Sequence, residues 1–324
     1  MRTLSYCDAI NEALRQEMER DANVFLAGED IGVWGGCFYA THDLHAQFGA
    51  GRVVDTPITE SAIVGLAIGS AATGLRPVVE LMLVDFALVC FDQIANQAAK
   101  MHYMFGGKIR LPMVIRTACG GEGNAAAQHS QNLENLFTQF PGLIVLAPST
   151  ATDAKGLLIS AIRDDNPVIF LEHGQIYGME SEVPDEAYAI PIGKARVARE
   201  GNDLSIVTYH RMYHESMEAA AILQEEGIDA EVIDLRSLYP LDIDAIIGSV
   251  EKTGKLIVAH DAIVNSGFGA EIAACVAERA LYSLEAPIRR IGAPFTPIPF
   301  TPALEKIYLP NRNRIVEAAH ELMK

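Results

Sequence analysis

Two stretches hold residues whose types and spacing could do chemistry. The first is Asp55-Thr56-Pro57-Ile58-Thr59-Glu60, a polar turn that runs into Ser61 to Thr73, a segment made almost wholly of Ala, Gly, Ile, Val and Leu. A helix that is apolar all round is wrapped by protein on nearly every side, so Glu60 at its mouth is expected to be poorly solvated. Desolvation favours the protonated carboxyl, and a raised pKa suits proton exchange with a bound base near neutral pH. The competing reading is a carboxylate that complements the positive end of the helix, with Thr59 or Ser61 as the cap. On this stretch alone both readings stand.

The second stretch is Gln128-His129-Ser130-Gln131, at the end of a glycine- and alanine-rich loop. With Ser130 ready to cap a following helix, the His129 imidazole is held at the top of a sheet, where ligands of open parallel sheets bind. Its plainer reading is a capping segment with an incidental histidine. Ser130 lacks a GxSxG elbow, which argues against a serine hydrolase. Other patterns fall short. Gly121-Glu122-Gly123-Asn124-Ala125-Ala126 fits GxGxxA after a strand, but the next strand ends Leu146-Ala147-Pro148-Ser149, without the acidic residue that grips a ribose. Gly267-Phe268-Gly269 fails at the third glycine, and no GxxxxGK[ST] loop exists, so nicotinamide binding is not expected. The pairs His210/His214 and His42/His45 have no evident third ligand for zinc.

The elements that must position these residues alternate. Apolar spacing predicts helices over 40–48, 61–73, 86–102, 130–138 and 153–163, between strands at 23–27, 53–54, 77–83, 113–117, 143–147 and 168–171; a first helix, capped by Ser5 with Asp8, is expected directly after Met1. Continuous apolar strands separated by helices call for a parallel sheet covered on both faces. Residues 1–178 form this first α/β domain, a charged and proline-rich linker covers 179–202, and alternation resumes in a smaller α/β domain over 203–324.

The 324 residues suffice for two cores. A formal charge of −17 repels phosphate backbones and makes nucleic acid an unlikely partner. Cys7, Cys37, Cys90, Cys119 and Cys275 are scattered without a CxxC pair, as free thiols of a reducing compartment would be. With no signal peptide at the start and no apolar run long enough to span a bilayer, the expectation is a cytoplasmic protein, not a membrane one.

Taken together, GED at Gly28 to Asp30, DTPITE at Asp55 to Glu60, Asp92-Gln93 with Asn96 to Lys100, QHSQ at Gln128 to Gln131, DAKGLL at Asp153 to Leu158, AIRDDNPVIFLEH at Ala161 to His173 and VIDLRSLYPLD at Val232 to Asp242 resemble one family. It is the β subunit of the thiamine-diphosphate-dependent E1 component of 2-oxo-acid dehydrogenase complexes, and the resemblance covers essentially the whole chain. Tyr103 to Lys108 and the tail Ala293 to Phe300 look most like the acetoin dehydrogenase branch, while VPDEAYAIPIGKA looks equally like pyruvate dehydrogenase.

The resemblance implies a pyrimidine-type thiamine-diphosphate-binding domain followed by a transketolase C-terminal-like domain. It implies that Glu60 hydrogen-bonds N1′ of the aminopyrimidine, that Met82 and Phe86 pack on that ring, and that His129 faces the substrate. It implies a monovalent cation, potassium in some relatives, held by backbone carbonyls at Met113, Ala161, Ile162, Asp164 and Asn166. Thiamine enzymes grip the diphosphate and Mg²⁺ with a GDG segment and later asparagines; this chain has none, so an α subunit must supply them in an α2β2 heterotetramer. The implied reaction forms hydroxyethyl-thiamine diphosphate and passes its two-carbon unit to a lipoyl group on E2, whose basic binding module would meet this acidic chain. The alternatives are a branched-chain 2-oxo-acid E1 β subunit, a transketolase-type transferase, which would need a histidine-rich donor site, and a non-catalytic scaffold subunit. The segments ACGGEGN (118–124) and AIVNS (262–266) depart from the family's loops and put fine specificity in doubt.

Overall fold

The computed structural model describes residues 1–121 and 123–324; Glu122, inside the GxGxxA segment, lies outside the described residues. The chain divides into two compact units, Met1–Cys119 with Leu136–Ile192, and Gly120–Asn135 with Gly193–Lys324.

The first unit opens with strand β1 (Arg2–Ser5), helix α1 (Tyr6–Arg20), β2 (Val24–Gly28), α2 (Leu44–Phe48), β3 (Val53–Asp55), α3 (Glu60–Ala72) and β4 (Arg76–Leu83). It continues through α4 (Ala99–Met104), β5 (Val114–Cys119), α5 (Glu134–Thr138), which begins in the segment of the second unit, β6 (Ile144–Ala147), α6 (Ala151–Arg163), β7 (Val168–His173) and β8 (Glu180–Val183). Its strands run parallel in the order β6-β7-β5-β4-β2-β3. β5 and β7 are buried along their whole length, as strands covered on both faces must be. Ser5 Oγ accepts the Asp8 amide at 3.0 Å and caps α1, which buries Ile10, Ala13, Leu14 and Met18 at helical spacing. α1 is tied to α6 by Lys155 Nζ on Glu12 Oε1 at 2.6 Å and Arg163 Nη2 on Glu17 Oε1 at 2.6 Å.

Several local expectations change. Residues 2–5 do not begin the first helix but pair antiparallel with β8, a strand inside the charged 179–202 stretch. The helix expected over 86–102 is three pieces: a 3₁₀ turn at Val84–Leu88, a π-helical turn at Gln93–Ala98, and α4. Apolar spacing runs through all three, which is why they read as one. α3 is not enclosed on nearly every side within this chain. It buries Ile63, Val64, Ala67, Ile68 and Ala71 but leaves Ala62, Gly65, Leu66 and Gly69 open.

The second unit comprises β9 (Arg196–Arg199), β10 (Leu204–Thr208), α7 (Arg211–Glu225), β11 (Ala230–Asp234), β12 (Arg236–Tyr239), α8 (Ile243–Thr253), β13 (Leu256–Ile263), α9 (Phe268–Ala280), β14 (Arg289–Ala293), α10 (Pro302–Tyr308) and α11 (Arg312–Leu322). Its sheet is ordered β14-β13-β10-β11-β9, parallel except for β9. Leu204, Ile206, Met212, Val232 and Ile257 are among the residues of its core.

Inside the first unit Arg116 on β5 lies between two carboxylates, with Nη1 2.8 Å from Glu80 Oε2 and Nε 2.7 Å from Glu172 Oε1. Tyr177 donates to Glu172 Oε2 at 2.6 Å. Burial works against the guanidinium charge, but Glu172 and Glu80 outweigh it and raise the Arg116 pKa. Two carboxyls share one cation, so the excess falls on Glu80, whose pKa burial pushes up against the pull of Arg116. Removing one partner of a buried pair strands the others. Arg116→Met is therefore expected to cost about 3–5 kcal/mol in chemical denaturation; a loss below about 1 kcal/mol, the level of an exposed pair, would refute this account of the core.

Candidate active site

The strand order places a crevice in the first unit. From β2 the chain steps outward to β3, then returns across β2 to β4, so the direction of winding reverses between β2 and β4. Ligands of open parallel sheets bind outside the carboxyl ends of strands at such a reversal. β2 ends at Gly28 and continues into Glu29; β3 ends at Asp55 and leads through the turn to Glu60; β4 carries Met82 near its end and leads to Phe86. Gly28 stands in register with Asp55 on one side and Glu80 on the other. A Cβ on Gly28 would come within 3.0 Å of the Glu80 carbonyl, so only glycine allows the strands to meet here. The Thr56 amide donates to the Gly28 carbonyl at 2.9 Å, and the Gly32 amide to Asp55 Oδ1 at 2.6 Å.

Glu60 is the first residue of α3 and is 8% exposed. Neither expected cap serves the helix: Thr59 Oγ1 donates to the Pro57 carbonyl at 3.1 Å, and Ser61 Oγ to the Val89 carbonyl at 2.9 Å. The second bond ties the turn that carries Phe86 to the start of α3. Met82, on β4, and Phe86, in the turn that follows it, are half-buried. Thr56 Oγ1 is buried without a hydrogen-bond partner among the described residues, an unmet polar position in the same turn.

Glu29 is the residue that the sequence alone did not single out as a site group. It is 6% exposed, and its carboxyl accepts the Thr59 amide; burial first, and then the charges of Glu60, Asp30 and Glu80, push its pKa up. Its relation to Glu60 arises only because β2 and β3 are neighbours in the sheet. Burial, followed by Glu60, also raises the Cys90 thiol to about 12, so Cys90 stays protonated and is not a nucleophile.

The structure does not bring every expected residue into one unit. Glu60, Met82 and Phe86 belong to the first, whereas His129 lies exposed in Gly120–Asn135, which groups with the second. That segment forms no helix over residues 123–133, as a dinucleotide fingerprint would require. Asn124 and Ala126 take left-handed backbone angles, φ +62° and +65°, and the Gly120 amide closes the loop on the Gln131 carbonyl at 3.0 Å. Its far end is held by Tyr209, whose hydroxyl donates to Glu134 Oε1 at 2.5 Å, and by Asn135 Nδ2 on the Ser266 carbonyl at 2.9 Å.

The carbonyls expected to hold a cation lie where α6 and β5 meet the start of β7, at the amino ends of the strands and away from the crevice. The Met113 carbonyl accepts the Val168 amide at 2.9 Å, and those of Ile162 and Asp164 each accept Arg76 Nη1 at 2.9 Å. Two of the expected carbonyls are thus already met by a guanidinium. Among the described residues no group of three or more His, Cys, Asp or Glu could hold a metal.

A buried acid, an apolar shelf and an unmet hydroxyl fit a flat, nitrogen-bearing aromatic ring. The acidic run of Glu29, Asp30, Asp55 and Glu60 does not fit a diphosphate. Against this geometry, the family model described as transketolase, pyrimidine binding domain, matches residues 2–179, and that described as transketolase, C-terminal domain, matches 193–315. The acetoin:2,6-dichlorophenolindophenol oxidoreductase subunit beta of Cupriavidus necator is 53% identical over 100% of this chain and 98% of its own length. The pyruvate dehydrogenase E1 component subunit beta of Bacillus subtilis is 48% identical over the full length of both. The chain belongs to the E1 β-subunit branch of the transketolase family. A solved structure of a split-gene transketolase in an inactive β4 tetramer superposes with a TM-score of 0.81 over 98% of both chains at 24% identity, and so shares the fold of this E1 β chain. No helix among the described residues is long and apolar enough to cross a membrane.

The crowding of carboxyls has a measurable sign. A carboxyl whose pKa is raised on folding destabilises the folded state above that pKa and ceases to do so below it. Glu29→Gln is therefore expected to melt higher than the parent at pH 8, with the gap closing as pH falls towards the ordinary carboxyl range. A variant that melts lower across the whole range would show that the ionised carboxylate is stabilising instead.

Proposed function

We propose that this E1 β chain is the β subunit of a thiamine-diphosphate-dependent dehydrogenase of acetoin or pyruvate type, whose two-carbon product passes to a lipoyl acceptor on E2. The observation that supports the reading is Glu60, buried at the first residue of α3 where the chain leaves β3 next to the reversal of the first sheet. Acetoin relatives at 53% and 48% identity and a pyruvate relative at 48% support either substrate type.

Thiamine diphosphate, when bound, supplies a carbon nucleophile that adds to the carbonyl of a 2-oxo acid or hydroxyketone. In this reading Glu60 holds a proton at N1′ of the aminopyrimidine, and Met82 and Phe86 pack on the ring and exclude water from it. His129 turns its imidazole to the substrate. The diphosphate and Mg²⁺ belong to an α chain, because the crevice of this chain is acidic and no GDG segment is present. The open face of α3, Ala62, Gly65, Leu66 and Gly69, supports a partner: an exposed apolar strip of small residues lets another helix approach closely.

Co-expression with an α chain and assay of acetoin, pyruvate and branched-chain 2-oxo acids with an artificial electron acceptor tests the substrate. In that assembly Glu60→Gln is expected to lower turnover by about 10²–10⁴ while assembly is retained. Unchanged turnover would leave a non-catalytic scaffold as the better description.

A monovalent cation on the carbonyls of Met113, Ala161, Ile162, Asp164 and Asn166 would act on stability, since it lies at the other end of the strands from Glu60. The thermal midpoint is expected to be higher in potassium chloride than in tetramethylammonium chloride of equal ionic strength, as binding to the folded state alone requires. Equal midpoints would remove the cation from the proposal.

A further inference from the structure

The second unit has a reversal of its own. The chain passes from β10 through α7 to β11 on one side, then returns across β10 to β13 and β14 on the other. The crevice outside the carboxyl ends of β10 and β13 is thus where an open parallel sheet takes a ligand. A cavity of about 450 Å³ lies there, within the usual range for small-molecule sites. Asp261 to Ile263 line it from the end of β13, residues 295–298 from the chain after β14, and residues 130–133 from the loop that carries His129. None of these groups has a part in the chemistry proposed for Glu60.

Two observations mark the cavity as built for an occupant. Ser130, 3% exposed, lines the cavity with a buried hydroxyl that has no hydrogen-bond partner among the described residues. Asp261, also in the lining, is fixed in orientation by Arg211, whose Nε lies 3.0 Å from Oδ1.

The lining also defines the chemistry. Among the described residues that form it there is no Lys, Arg or His, so an anionic ligand would find no counter-charge. Asp261 is an acceptor for paired hydroxyls, in the manner of the acidic residue that grips a ribose at a strand end. Ser130, Gln131, Asn132 and Tyr308 offer neutral donors and acceptors, while Phe295 and Ile298 form an apolar wall. We propose that this cavity binds an uncharged molecule that carries vicinal hydroxyls beside an apolar face, from either of two sources, a nucleoside or a free sugar. Ser130 and Gln131 directly follow His129, so an occupant would also brace that loop.

The test is direct binding to the full-length chain, without turnover, and so stands or falls separately from the dehydrogenase reading. Adenosine, ribose and AMP are titrated by calorimetry and by saturation-transfer NMR. Adenosine or ribose is expected to bind saturably, and adenosine more than about ten-fold tighter than ribose would identify a nucleoside site, near-equal affinities a sugar site. Ile298→Trp, which fills the cavity, is expected to weaken binding by about ten-fold or more, and Tyr308→Phe, which removes one hydroxyl and keeps the ring, by about five- to ten-fold. The proposal is overturned if neither probe binds at millimolar concentration, if affinity is unchanged in Tyr308→Phe and, where it folds, in Ile298→Trp, or if AMP binds more than about ten-fold tighter than adenosine.

Discussion

Parallel strand pairing is the constraint on which the molecule depends. When neighbouring strands run the same way, every turn from strand to helix falls on one edge of the sheet and every return on the other. In the first unit that edge gathers Glu29, Asp55, Glu60 and Phe86, residues from three separate strand ends, around the point where winding reverses between β2 and β4. The carbonyls of Met113, Ile162 and Asp164 are confined to the opposite edge by the same rule. Chemistry and structural support are thereby separated along the strand axis.

The cost of gathering acids at one edge is visible in the interior. Glu80 and Glu172 on β4 and β7 are held by the single guanidinium of Arg116 on β5 between them. Glu29 is instead shifted towards its neutral form by burial and by its acidic neighbours. One group of carboxyls is paired with a cation, while in the other burial and like charges push the pKa up, the kind of perturbation found at proton-exchanging sites.

The second unit repeats the architecture with different consequences. Its reversal between β10 and β13 is bordered by the Gly120–Asn135 loop, which leaves the first sheet after β5 and packs with the C-terminal residues. A Cβ on Gly121 would meet Ile298 Cδ1 at 2.3 Å, so a larger residue at the start of the loop would require that side chain to move. The loop's other anchors, Glu134 and Asn135, are on Tyr209 and Ser266. His129 is thus carried by a segment that one unit supplies in sequence and the other secures in space.

What the sequence determined by itself is what depends on neighbours along the chain. The alternation of apolar strands with helices, the position of Glu60 at the mouth of α3, and the capping of α1 by Ser5 follow from periodicity and local hydrogen bonding, and the family follows from blocks of residues in order. Tertiary structure decided what depends on residues far apart. The approach of Glu29 to Glu60 requires the pairing of β2 with β3; the short strand at residues 2–5 exists only because residues 180–183 lie beside it. The open side of α3 was invisible for the same reason, since an all-apolar helix records that it will be covered but not by which chain. Periodicity is written in spacing along the backbone, whereas proximity across a sheet is set by strand order, which no local pattern encodes.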